Sequence, residues 1–150
     1  MGHDAAYYHA GKSEGCAFFT AFPFGFTMGE MAAWIKHGNG QKLWDELYAP
    51  FGIRGFQAGS TGTQMFGWFR REIRSLADLD GLKFRTPGNQ GRVLQKLGVT
   101  PVSLPGGEIF PALQSGAIDG AEWVGPYNDL ALGFYQVCRY YYSPGYHEPG

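Results

Sequence analysis

Residues 82–124 read LKFRTPGNQGRVLQKLGVTPVSLPGGEIFPALQSGAIDGAEWV, and this run decides the fold. LKFRT reads as a strand, and NQGRVLQKLG places Val93, Leu94 and Leu97 on one helical face before Gly98 stops the helix. VTPVSLP is a second strand, GEIFPALQSG a second helix with Ile109, Phe110 and Leu113 inward, and IDGAEWV a third strand. Strand, helix, strand, helix, strand predicts an α/β domain, a mixed sheet flanked by helices. Arg85 ends the first strand, directly before Thr-Pro-Gly, where the chain has to turn. An arginine at a strand end is ordinarily solvated surface, so any further meaning depends on the rest of the chain.

On the N-terminal side, QMFGWFRREI and IRGFQAG read as strands separated by the small polar turn STGT. Ser75 and Asp78 have the spacing of a capping box and open one helical turn that Gly81 closes. Thr27 and Glu30 repeat that spacing ahead of Met28, Met31, Trp34 and Ile35, and after HGNG a second apolar stripe runs through Leu43, Trp44, Leu47 and Tyr48. Two consecutive short helices are expected there. Cys16 to Pro23 reads as a buried strand. On the C-terminal side, Leu130, Phe134, Val137, Cys138 and Tyr141 recur at helical spacing and predict one long helix over 126–142.

A chain of 150 residues is long enough to bury a sizeable core. Twelve basic and thirteen acidic side chains give a net charge of -1 with no basic run, which argues against nucleic acid and leaves a small neutral or anionic partner open. The longest apolar run, CAFFTAFPFGF, is too short for a bilayer. The opening MGHDAAYYHAGK lacks the features of a secretory signal, so an exported parent would carry its address elsewhere. Cys16 and Cys138 make no disulfide framework and are expected as reduced packing thiols.

The segments GWFRREIRSLADLDGLKFRTPG, GVTPVSLPGGEIFPALQSGAIDGAEWVGP and YYYSPGYHEPG together resemble the solute-binding subunits of tripartite ATP-independent periplasmic (TRAP) transporters, nearest the branch for 2-oxo acids and related carboxylates. AAYYHAGK and WIKHGNGQKLWDELYAPFGI share the likeness, so it covers nearly the whole chain in family order. The resemblance implies a periplasmic-binding-protein-like fold of two α/β lobes joined by strands and a long connecting helix, with ligand between the lobes. It assigns 1–51 to part of the first lobe, 52–124 to the second and 125–150 to the connecting helix and tail, the middle of such a protein. It also implies a periplasmic location and membrane subunits as partners of the intact protein.

By the same resemblance, Arg85 grips the ligand carboxylate with two hydrogen bonds, as a planar and permanently charged guanidinium does well. Gln64, Glu122 and the Trp123 carbonyl would surround a sodium or calcium ion that also touches the ligand, on the side opposite Arg85; hard oxygen donors suit such ions. Gln64 and Asn89, with Tyr7 and Tyr8 of the first lobe, would face the ligand. No cofactor is required beyond that ion. STGT departs from the family pattern, which has an asparagine near Ser60, and ligand preference could shift with it. An Arg85 fully occupied by an internal acid would defeat the carboxylate reading.

Two other classes compete. A self-associating fragment, with another copy covering the apolar surface of CAFFTAFPFGF and the aromatic final helix, predicts a homo-oligomer. An enzyme is disfavoured: Ser60, Ser75, Ser103 and Ser115 lie in no nucleophile elbow, no glycine-rich phosphate loop appears, and His3, His9, His37 and His147 have no ligand spacing.

Overall fold

The computed structural model describes residues 2–145, which divide into a compact unit of residues 2–63 and another of residues 64–145.

In the first unit, 3-10 turns at Ala6–His9 and Glu14–Phe19 precede α1 (Met28–His37) and α2 (Gly40–Tyr48). The start of α1 follows from local chemistry. The Thr27 amide donates to Glu30 Oε2 at 2.9 Å and the Glu30 amide returns to Thr27 Oγ1 at 3.4 Å, which satisfies two helix-end donors reciprocally. Phe19 lies between two indoles, 5.5 Å from Trp34 and 5.2 Å from Trp44, and ties the Glu14–Phe19 turn to both helices. The strand expected over Cys16–Pro23 is instead this turn, with Cys16 and Ala17 buried. The Cys16 amide donates to the Ser13 carbonyl at 3.1 Å within the turn, and of residues 16–23 Pro23 alone keeps an isolated β-bridge. The strand expected over 53–59 also fails to form. An apolar run identifies burial but does not supply the partner that a strand requires.

The second unit holds a five-stranded mixed sheet in the order β3-β2-β4-β1-β5, built from β1 (Gly67–Phe69), β2 (Lys83–Arg85), β3 (Thr100–Val102), β4 (Gly120–Ala121) and β5 (Tyr140–Tyr142). β2 runs parallel to β3 and β4, with Arg85 opposite Val102 and Ala121; β1 runs antiparallel to β4 and β5. Parallel neighbours need crossovers, supplied by α3 (Gly88–Gln95) and α4 (Gly106–Ser115). Phe69, Leu79, Leu82, Phe84, Leu94 and Val99 form one apolar cluster, in which the Phe69 and Phe84 rings stack at 4.9 Å. Ile109 and Leu113 of α4 form the other with Ile118, Ala121, Phe134 and Cys138. The expected α/β architecture is therefore present, although of the three apolar residues expected inward over 89–98 only Leu94 is buried, Val93 and Leu97 being 38% and 39% exposed.

The long helix expected over 126–142 is not formed. α5 (Pro126–Leu132) ends at Gly133, whose φ of 72° is left-handed, and after a 3-10 turn at Phe134–Gln136 the chain enters β5. Phe134 and Cys138 are buried as the helical spacing demanded, but Tyr140–Tyr142 pairs with β1 because aromatic residues suit a pleated surface. Cys16 and Cys138 are free, buried thiols. Among the described residues no helix is long and apolar enough to cross a membrane.

Candidate functional site

The parallel strands β2 and β4 end at Arg85 and Ala121, and antiparallel β1 begins at the same edge of the sheet. Arg85, Glu122 and Trp123 therefore converge there by topology. Gln64 lies on the same edge because the amide of the next residue, Met65, donates to the Val124 carbonyl at 3.0 Å. α3 also starts here, two residues after β2, with Asn89 half-buried in its first turn. The N-cap residues of α3 and α4 are Pro87 and Pro105, neither of which makes a side-chain cap bond, and both helices begin at the C-terminal edge of the sheet, where open α/β sheets hold ligands.

Arg85 is 1% exposed, not a solvated strand end. Its Nε donates to the Leu104 carbonyl at 3.0 Å, and its Nη1 donates to the Glu122 carbonyl at 3.1 Å and to Glu122 Oε1 at 2.7 Å. The Trp123 indole covers the guanidinium at 5.1 Å. A Cβ on Gly106, at the start of α4, would lie 2.6 Å from Trp123 Cη2, so only glycine lets the helix approach the indole this closely.

Glu122 and Arg85 form a buried ion pair. Burial pushes the Glu122 carboxyl up to about 7, the attraction of Arg85 pulls the other way, and the charge of nearby Asp129 adds to the rise. The site thus contains an internal carboxylate against the arginine.

Gln64, at 3% exposure, is a buried polar side chain of the second unit. Tyr7 and Tyr8 belong to the first unit, in the Ala6–His9 turn, where their rings meet edge to face at 4.6 Å. Four of the expected residues, Gln64, Arg85, Glu122 and Trp123, thus share one sheet edge with Asn89 beside them. Among the described residues no group of three or more His, Cys, Asp and Glu side chains could hold a metal ion. A cation here would depend on amide and carbonyl oxygens besides Glu122. His147 lies outside the described residues; His9 Nε2 meets exposed Asp4 Oδ2 at 2.5 Å.

Sequence reading missed four participants. The Leu104 carbonyl has no sequence signal, since any residue carries one. Thr86 and Gln90, both buried, are joined at 2.9 Å next to Arg85. Asp129, 1% exposed, accepts hydrogen bonds from the Trp68 indole at 2.9 Å and from the amides of Val124 and Gly125 at 3.0 and 3.1 Å. An acid in the first turn of a helix opened by Pro126 was the available clue.

The model of the family described as bacterial extracellular solute-binding protein, family 7, matches residues 1–149. A monocarboxylate 2-oxoacid-binding periplasmic protein of Nostoc sp. is 51% identical over 149 residues, which are 99% of this chain and 41% of that protein. A TRAP periplasmic solute-binding protein of Pseudoalteromonas atlantica, solved with bound sodium and pyruvate, superposes with a TM-score of 0.94 at 49% identity, covering 99% of this chain and 45% of that one. One from Bordetella bronchiseptica, a mixed-occupancy dimer with copurified calcium and picolinate, gives a TM-score of 0.92 at 44% identity, covering 97% of this chain and 44% of that one. The chain spans less than half the length of these relatives.

Proposed function

This chain belongs to bacterial extracellular solute-binding protein family 7, and on that premise we propose that it is a binding module for a small 2-oxo carboxylate such as pyruvate. One observation carries the reading: a monocarboxylate 2-oxoacid-binding protein is 51% identical over 99% of this chain. Glu122 already meets the buried Arg85 at 2.7 Å, so binding requires the ligand to displace it. The arrangement is already suited to a carboxylate. The ligand's carboxylate replaces that of Glu122 on the guanidinium, and charge-assisted bonds of this kind are worth about 1.5–3 kcal/mol each when shielded from water.

A displaced Glu122 needs a new counter-charge, and a sodium or calcium ion supplies it. The donor set fits a hard cation: the Glu122 carboxylate, the Gln64 amide oxygen and the Trp123 carbonyl, all at one sheet edge. The relatives solved with pyruvate and sodium and with picolinate and calcium support this pairing of ligand and ion. When bound, the ion offsets the charge of Glu122 and polarises the ligand's oxygens. Asn89 lines the site from the first turn of α3, and Tyr7 and Tyr8 are assigned to the ligand by resemblance.

The family's description is one of binding, not catalysis. In the longer proteins we assign 1–51, 52–124 and 125–150 to first lobe, second lobe and connecting segment, in the periplasm, passing solute to TRAP membrane subunits. A second reading, self-association through exposed aromatic surface, rests on Phe18, Phe24 and Phe26 at 54%, 81% and 47% exposure and on the dimer of the Bordetella relative.

Thermal melting of this chain with millimolar pyruvate in sodium or calcium chloride tests the proposal. An upward shift that is lost in Arg85→Ala and Arg85→Lys is expected, and no shift with any small carboxylate overturns it.

A further inference from the structure

We propose that Asp129 is a positioning residue for the cation half of the site: it fixes the direction of the Trp123 carbonyl. This rests on the reading above, in which that carbonyl is a cation ligand.

β4 ends at Ala121, so ladder pairing no longer dictates the path of 122–125. The segment is held at separate points. The Glu122 amide donates to the Arg85 carbonyl at 3.2 Å, and the Val124 carbonyl accepts from Met65 at 3.0 Å. Between these, the Val124 and Gly125 amides both donate to Asp129 Oδ1, at 3.0 and 3.1 Å. Oδ2 is held in turn by the Trp68 indole at 2.9 Å, from the middle of β1. The carboxylate is buried and tied to the sheet on one side and to the segment on the other.

Peptide planarity turns this anchoring into an orientation. The Trp123 carbonyl and the Val124 amide belong to one peptide unit, and in a trans peptide they point in opposite directions. With the Val124 N–H pinned on Asp129, the Trp123 oxygen is aimed away from it. The next unit is fixed at both ends, its Gly125 N–H on Asp129 and its Val124 oxygen on the Met65 amide. Freed from Asp129, the 123–124 peptide could rotate and the carbonyl would lose its aim. A residue that acts in this way governs the cation's contribution to binding and leaves the Arg85 contacts intact.

The test compares the unvaried chain with Asp129→Asn, which keeps the shape but leaves one neutral oxygen for three donors, the two amides and the Trp68 indole, and with Trp68→Phe, which removes the bond to Oδ2 together with part of the ring packed on Tyr141. Pyruvate affinity is measured by calorimetry in sodium chloride, calcium chloride and choline chloride. Amide and indole resonances of Val124, Gly125 and Trp68 report the local geometry. Expected for Asp129→Asn is a loss of about tenfold in sodium and calcium, the scale seen when partners of metal ligands are removed, with binding in choline unchanged. Trp68→Phe should show a smaller loss of the same kind. Equal weakening in all three salts would make Asp129 a general support of the fold and overturn the proposal, as would undiminished cation enhancement. If the unvaried chain binds no pyruvate in any salt, the carboxylate reading fails and this inference fails with it. If it binds and only the Asp129 outcome is absent, the inference alone fails.

Discussion

Arg85 and Glu122 meet at 2.7 Å inside the second unit, each almost fully withdrawn from solvent, where the last residue of β2 and the first residue after β4 are brought together by two neighbouring parallel strands. Such a pair gains Coulomb energy but pays for the desolvation of both ions, so its presence is weak evidence of stabilisation. On the proposed function, the pair keeps the site neutral until a ligand carboxylate takes the place of Glu122.

Removing one partner should therefore cost more than removing both. Arg85→Met alone leaves a buried carboxylate without its counter-charge and is expected to destabilise the chain by about 3–5 kcal/mol. Adding Glu122→Leu should restore most of that loss. Chemical denaturation of the three chains checks this, and a double variant no more stable than the single one would contradict it.

The raised carboxyl of Glu122 predicts a pH dependence. Between its ordinary value of 4.5 and about 7 the folded chain holds a proton that the unfolded chain has released. The stabilisation is thus full below about pH 4.5 and lost as pH climbs toward 7, by at most on the order of 3 kcal/mol. Glu122→Gln should flatten the fall in melting temperature across that window. Parallel curves for the two chains would refute the assignment.

Close backbone approach between β1 and β4 makes Gly67 irreplaceable. Its φ is 135°, and an added Cβ would lie 2.6 Å from the Ala121 carbonyl oxygen. Gly67→Ala should lower stability by roughly 2 kcal/mol or more, combining strained backbone with a clash that has no flexible end to yield. Substitution at Gly107, where a Cβ would meet nothing within 4 Å, serves as the control and should cost under about 1 kcal/mol.

The exposed aromatics of the first unit predict self-association. Phe24, 81% exposed and at a positive φ of 55°, is the most prominent. Light scattering should find a dimer or larger species, and Phe24→Asp should shift it toward monomer. A monomer at all concentrations would count against this surface.

What the sequence determined by itself was whatever short-range chemistry decides. The Thr27–Glu30 and Ser75–Asp78 capping boxes formed because donor and acceptor sit three residues apart on the same chain. The run from Leu82 to Val124 gave its strands and helices in order because their periodicities differ and glycine punctuates them, and the quoted motifs identified the family. Tertiary structure alone decided the rest. Cys16–Pro23 and residues 53–59 are apolar or β-prone, yet apart from an isolated bridge at Pro23 neither forms a strand, because composition does not supply a partner strand. The final segment kept its buried Phe134 and Cys138 but exchanged helix for β5, since pairing with β1 outweighed helical spacing. Arg85 was legible as a candidate, but not its contact with Glu122, the Leu104 carbonyl or the anchoring of 122–125 by Asp129. The Arg85 contacts and the Trp68–Asp129 bond join residues 19 to 61 positions apart, which no local pattern encodes; the Asp129 bonds to the 124 and 125 amides are local, and their clue was an acid in the first turn of a helix.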